Sequence, residues 1–300
     1  MIEEQTQAPG ATVPASATVD HSHSRDLSVE PMIKIRPGKA RVRSSLSEVW
    51  THRELLYFLV WRDLKVRYKQ TVLGAAWVIL QPLLMAIIFT VFLSKLVRVP
   101  SDGVPYPLFA YAGLLPWMFF SNAVAISSSG LLANSYMITK VYFPRIIIPM
   151  ALVGVRLIDF LTASSMLVLM MLYYRIEVGR SLLVLPLFFL LTTVLTLGFG
   201  VWFSVLNVKY RDVGSLLPLL LQVWMFASPI IYPSNLVPGQ WRLIYSLNPL
   251  AGLIEGFRAS LFNLPFDWTS IGISAAVIVV LFIYFVQAFC RIEEDIVDII

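Results

Sequence analysis

The 300-residue sequence predicts an all-α integral membrane protein. It should have six transmembrane helices, an N-terminal amphipathic helix at the interface, and short re-entrant helices between spans five and six. Three observations carry that expectation. Hydrophobic residues make up 58% of the chain and charged residues 14%, against roughly a quarter charged in a soluble domain. Six apolar segments each approach the ~20 residues that cross about 30 Å of hydrocarbon. Ten of the 23 Lys and Arg residues stand between Lys34 and Lys69, directly ahead of the first segment.

Residues 1–45 are expected to be a disordered cytoplasmic tail. They are rich in Ala, Pro, Ser, Thr and Val and hold too little apolar surface to offset the entropy of ordering. No cleavable signal sequence is visible in that polar stretch. Its His21 and His23 lack carboxylate or cysteine partners nearby, so solvated side chains explain them more simply than a metal site.

Residues 46–71 should form the amphipathic interface helix. Ser45-x-x-Glu48 and Thr51-x-x-Glu54 are capping-box patterns that start a helix. Tyr57, Trp61, Leu64 and Tyr68 then recur at helical spacing, with Arg62, Lys65 and Lys69 on a separate stripe. Rings on one face and cations on another suit the headgroup plane, or a soluble helix packed on a partner subunit. In a soluble protein such a basic run would suggest nucleic acid. Ahead of an apolar span, the positive-inside bias is the plainer cause, and no nucleic-acid partner is expected.

Residues 72–300 should form the six-span domain, with spans near Val72–Leu93, Leu108–Ser128, Ile146–Tyr173, Leu182–Leu206, Val213–Ile231 and Ile271–Cys290. Lipid offers the backbone no partners, so each must be helical. The basic cluster places the N-terminus in the cytoplasm, and six crossings return the C-terminus to the same side. Between spans five and six, Asn248-Pro249 signals a helix start. Leu250, Leu253, Ile254, Phe257 and Leu261 follow as an apolar stripe too short to span. A second short piece is expected around Trp241, Leu243, Ile244 and Tyr245, and together the two pieces would lie over an outward exit. Cys290 is alone and cannot form an internal disulfide.

Charge inside a span is costly and usually retained for function. Arg156 and Asp159 stand three residues apart in span three, on one helical face and close enough to pair. They would either line a polar pathway or neutralise each other between helices. A proton-coupled carrier would need more carboxylates within its spans. A membrane-embedded glycosyl- or acyltransferase would need acidic or histidine clusters at a membrane face, yet His21, His23 and His52 all precede the first span. No metal-ligand spacing and no G-x-x-x-x-G-K-[ST] phosphate loop occurs, so any nucleotide must be bound by another chain.

Several stretches carry a family resemblance. They include Arg62-Asp63-Leu64-Lys65-Val66-Arg67-Tyr68, Leu73-Gly74-Ala75-Ala76-Trp77, Gln81-Pro82 and Tyr106-Pro107. Gly113-Leu114-Leu115-Pro116-Trp117, Phe119-Phe120-Ser121-Asn122 and Lys140-Val141-Tyr142-Phe143-Pro144-Arg145 follow. Then come Asn207-Val208-Lys209-Tyr210-Arg211-Asp212, Ser228-Pro229-Ile230-Ile231-Tyr232-Pro233 and Asn248-Pro249-Leu250. In that order, over residues 46–292, the chain resembles the permease subunits of bacterial ATP-binding-cassette exporters for O-antigen, teichoic acid or capsule.

The resemblance implies a homodimer in the bacterial cytoplasmic (inner) membrane with two ATPase subunits, which would bind ATP and Mg; this chain would hold no cofactor. The cargo would be a polyprenyl-diphosphate-linked polysaccharide threaded through a channel between the permeases. The short helices before span six would be gate helices. Leu131–Arg145 would seat in the ATPase as a coupling element, with Lys140, Tyr142, Phe143 and Arg145 as contacts.

Sugar C–H faces lie well on aromatic planes, so Trp77, Tyr111, Trp117, Phe120 and Trp224, with Arg156 and Asp159, are channel candidates. Helix packing or a lipid-facing belt would use the same rings. Arg62, Lys65, Arg67 and Lys69 are candidates for the diphosphate, and anionic lipid headgroups compete for them. A drug or small-lipid exporter of the same superfamily is the alternative cargo class.

Overall fold

The computed structural model describes residues 48–69, 74, 76–236, 238, 241 and 245–293, with backbone only at position 95. The expected tail at 1–45, the Ser45 capping box, the first residues of span one, and Leu243 and Ile244 fall outside the described residues. Every regular element among the described residues is a helix.

The chain runs α1 (Arg53–Lys69), α2 (Ala76–Phe89), α3 (Tyr106–Ala133), α4 (Ser135–Lys140) and α5 (Ile147–Tyr173). It continues as α6 (Leu185–Lys209), α7 (Val213–Phe226), α8 (Pro249–Phe262) and α9 (Trp268–Ile292). Five helical segments are long and apolar enough to cross a membrane: Ala76–Ser94, Tyr106–Ala133, Ile147–Tyr173, Arg180–Lys209 and Trp268–Ile292. They coincide with expected spans one to four and six.

Side-chain caps set two of the helix starts. Asn248 accepts a hydrogen bond from the Leu250 amide at 3.1 Å, with Pro249 in the first turn where its missing N–H costs nothing. Asp267 caps α9 by accepting from the Ser270 amide. After Phe89 the helix widens into a π-helical stretch, Thr90–Val97. There the Thr90 hydroxyl donates to the Ala86 carbonyl at 2.6 Å, a side-chain bond that competes with the regular ladder.

α3 is the centre of the bundle. It packs against α2, α5, α6, α7 and α8, and most of it is buried, including Leu108, Phe109, Tyr111 and Phe120. By contrast, α2 shows Leu84, Met85, Ile87 and Ile88 on its surface, and Phe92 follows in the π-helical stretch. An apolar face of that kind belongs against lipid or another chain.

One segment is shorter as a helix than expected. The segment expected to cross as span five forms a helix of 14 residues, Val213–Phe226. At 1.5 Å per residue that is about 21 Å, so the regular helix by itself is shorter than about 30 Å of hydrocarbon. The cause lies just beyond it, where Pro229 biases Ser228 away from helical backbone and has no N–H of its own. The chain then runs through Ser228, Ile230 and Ile231, all buried.

α1 shows which of its faces packs. Its packed side is not the ring stripe: Leu59 is buried, while Tyr57 and Trp61 are exposed. α1 lies against α5, where a Cβ at Gly154 would stand 3.0 Å from Val60. The missing side chain lets the Val60 side approach, and the rings are left outward, as suits a membrane–water boundary.

Candidate functional site

Two charged loci stand out, and the first gathers residues far apart in sequence. Asp159 on α5 accepts a hydrogen bond from the Tyr68 hydroxyl at 2.6 Å and forms ion pairs with Arg67 and, at 3.3 Å, with Arg156. The spacing of Arg156 and Asp159 made them partners within one helix. The structure adds Arg67 and Tyr68 from the end of α1, so one carboxylate serves two guanidinium groups. Burial, and then the bond to Asp159, push the Tyr68 phenol up to about 12, so it remains a donor at any physiological pH.

Beside this cluster lies a cavity of about 50 Å³ whose lining includes Arg67, Gln81, Asn122, Arg156 and Asp159. Arg156 Nε is buried and has no hydrogen-bond partner. Of the four cations expected at the headgroup lip, Arg67 is therefore drawn into the cluster. Arg62 pairs with its neighbour Asp63 at 2.7 Å and reaches Asn134 at 3.4 Å. Lys65 and Lys69 are exposed.

The second locus is Arg258, on the buried stripe of α8. Its Nη1 donates to the Pro229 carbonyl at 2.6 Å and its Nη2 to the Ile230 carbonyl at 2.5 Å. Nε and Nη2 reach the Phe109 carbonyl at 3.3 and 3.2 Å. The Pro229 and Ile230 carbonyls are ones that the broken backbone after α7 would otherwise bury unsatisfied, a heavy cost in an apolar interior. Gly113 makes room for the clamp, since a Cβ there would overlap Arg258 Nη2 and the Ile230 carbonyl. Sequence reasoning missed Arg258, although its position four residues after Ile254 sets a cation on an otherwise apolar face.

The ring candidates separate by burial. Tyr111 and Phe120 are fully buried and Trp117 nearly so; the Tyr111 hydroxyl donates to the Ala163 carbonyl. These three pack the protomer core and present no surface to a polymer in this conformation. Trp77 is 52% exposed. Trp224 stacks edge-on against Phe120 with centroids 5.3 Å apart and donates through Nε1 to Asn248 Oδ1 at 3.1 Å. With Trp241, Tyr245 and Asn248 it lines an open hollow of about 510 Å³.

The expected coupling contacts also divide. Tyr142 stands 92% exposed on the bend after α4, while Phe143 is buried. Lys140 closes α4 and is exposed. Arg145 is engaged within the chain: its amide donates to Glu293 Oε1 at 3.0 Å and its guanidinium to the Glu293 carbonyl. That ties the loop to the end of α9. Among the described residues no group of three His, Cys, Asp or Glu side chains stands close enough to hold a metal ion.

Long apolar helices packed round a charged cluster define a multi-pass membrane protein. Residues 54–262 match the family model described as ABC-2 type transporter, and the chain belongs to that family, as a transport permease. It is 32% identical over 221 residues to the O-antigen export system permease protein RfbA of Klebsiella pneumoniae, covering 73% of this chain and 85% of that protein. The RfbA permease of Myxococcus xanthus is 32% identical over 216 residues, 71% of this chain and 82% of its own length. The polysialic acid transport protein KpsM of Escherichia coli is 26% identical over 202 residues, 65% of this chain and 76% of its own length.

Proposed function

We propose that the chain is the channel-forming permease subunit of an ATP-driven exporter that moves a polyprenyl-diphosphate-linked polysaccharide across the bacterial cytoplasmic membrane. Two copies would enclose the path and two separate ATPase subunits would drive it. The observation that carries this reading is the likeness to permeases whose names specify O-antigen or polysialic acid, over 65–73% of the chain.

Several features support it. The sequence has no phosphate loop, so the nucleotide must be handled elsewhere. Tyr142 is exposed for a partner on the loop between α4 and α5. With the N-terminus in the cytoplasm, the hollow lined by Trp224, Trp241 and Tyr245 lies on the outward side. Rings with an amide beside them suit sugars, because C–H faces lie on aromatic planes and weak repeated contacts let a polymer slide. The short helix α8, one of the two expected gate helices, is then an element that opens and closes over that exit.

The test is purification of the tagged chain co-expressed with the ATPase encoded beside it. A stable complex of two permeases and two ATPases, with hydrolysis stimulated by lipid-linked glycan, is the expected result. Failure to copurify, or stimulation by drugs or small lipids alone, would overturn it.

A further inference from the structure

We propose that the cavity between α1, α2, α3 and α5 binds a phosphoryl oxyanion carried by a lipid, with Arg156 and Arg67 as its charge partners and Gln81 and Asn122 as neutral donors. The proposal rests on the chain being embedded in a membrane; it does not depend on which cargo is exported.

Four observations converge. Charge comes first: two guanidinium groups face one carboxylate, which leaves the cluster with a net positive charge. A lone charge in a poorly solvated site is expensive unless something neutralises it. Asp159 carries a single negative charge, already shared between Arg67 and Arg156 while it also accepts from Tyr68. Second, Arg156 Nε is a buried donor without an acceptor. In most native structures such an atom has a partner, so it marks a missing acceptor.

Third, the remaining polar lining is rich in donors. Gln81 and Asn122 line the same cavity, and their amide N–H groups add to the guanidinium donors. Guanidinium groups favour carboxylate and phosphate because their planar fork matches two oxygens at once. Fourth, the size is restrictive. At about 10–15 Å³ for each water-sized group, a cavity of about 50 Å³ takes about three to five oxygens. That is a single phosphoryl head and too little for a sugar ring.

A lipid is the favoured carrier because of where the cavity opens. The α2 residues on it, Val78, Gln81 and Pro82, belong to the span whose apolar side is the most exposed of the five. Arg67 is about a third exposed (34%), so the cavity is not sealed. A phosphoryl group could enter with its acyl or prenyl chain left in hydrocarbon against α2.

The experiment uses the full chain in neutral detergent, with binding read by native mass spectrometry and checked by thermal unfolding. The probes are dioleoyl phosphatidate, dioleoyl phosphatidylcholine and inorganic phosphate. Phosphatidate should bind at least tenfold tighter than phosphatidylcholine, and inorganic phosphate should compete only weakly. Arg156→Gln should weaken phosphatidate at least tenfold, Arg156→Lys less, and Lys209→Gln, an exposed cation away from the cavity, less than twofold.

If Arg156→Gln does not fold, Asn122→Asp keeps the shape and adds a negative charge; it should weaken phosphatidate by a similar factor. Equal binding by wild type, Arg156→Gln and Asn122→Asp would overturn the site, leaving the cavity to water. Tight binding of inorganic phosphate equal to that of phosphatidate would overturn the lipid carrier. Neither result touches the export reading, which is tested by transport.

Discussion

The guanidinium of Arg258 lies over the ring of Phe109, 3.6 Å from its centroid, while two of its nitrogens donate to the carbonyl of that same residue. One side chain on the short helix α8 thus holds both face and backbone of the central helix α3. Through Pro229 and Ile230 it also holds the irregular segment after α7. A cation over an aromatic face contributes more when desolvated, and this one is buried.

Arg258→Met should therefore cost on the order of 3 kcal/mol, because three buried carbonyls lose a charged donor. Gly113→Ala should cost about 1–3 kcal/mol by forcing the clamp aside. Both are read as lowered midpoints in detergent unfolding. An unchanged midpoint in both would mean that the clamp does not hold α8 to α3.

Asp159→Ala leaves Arg67 and Arg156 facing each other without their anion, and should destabilise by about 3–5 kcal/mol. Arg156→Ala should cost only about 1 kcal/mol, since Arg67 and Tyr68 still serve the carboxylate. Paired unfolding curves decide this. If Arg156→Ala proved as damaging as Asp159→Ala, the contact to α1 would be of little consequence.

Tyr142→Ala should uncouple export from hydrolysis, cutting transport at least tenfold at an unchanged midpoint, because the ring touches little within its own chain. Arg145→Ala should lower both transport and the midpoint, since it also frees the end of α9. Transport per milligram of inserted protein, measured beside thermal unfolding, separates the two. Normal export by Tyr142→Ala would remove this bend from the coupling surface.

Five long apolar helices were legible because twenty apolar residues in a row leave a chain little choice in lipid. The start of α8 was legible too, since Asn248-Pro249 acts locally. The early end of α7 was not. The apolar run continues through Pro229 to Ile231, and only the distant Arg258 explains why the broken backbone is stable there.

The charged site was half legible for the same reason. Arg156 and Asp159 meet through helical spacing, which sequence displays, but Arg67 stands 92 residues from Asp159 and meets it only through packing. Gly154 is what lets α1 approach. Nothing in the spacing of residues 60–67 announces that approach.

The purified chain alone should hydrolyse no ATP above a detergent blank, because it has no loop to cradle phosphates. A coupled-enzyme assay on protein freed of any ATPase subunit checks this. Hydrolysis abolished by substitution within the chain itself would refute the division of labour.

The most direct measurement is transport in sealed vesicles holding the chain and its ATPase, with lipid-linked polysaccharide supplied on the ATPase side. Glycan protected inside the vesicles should accumulate with ATP, and fail to accumulate without ATP or without this chain. Accumulation of small lipids or drugs in place of glycan, or glycan entry that ignores ATP, would contradict the reading of the chain as a polysaccharide export channel.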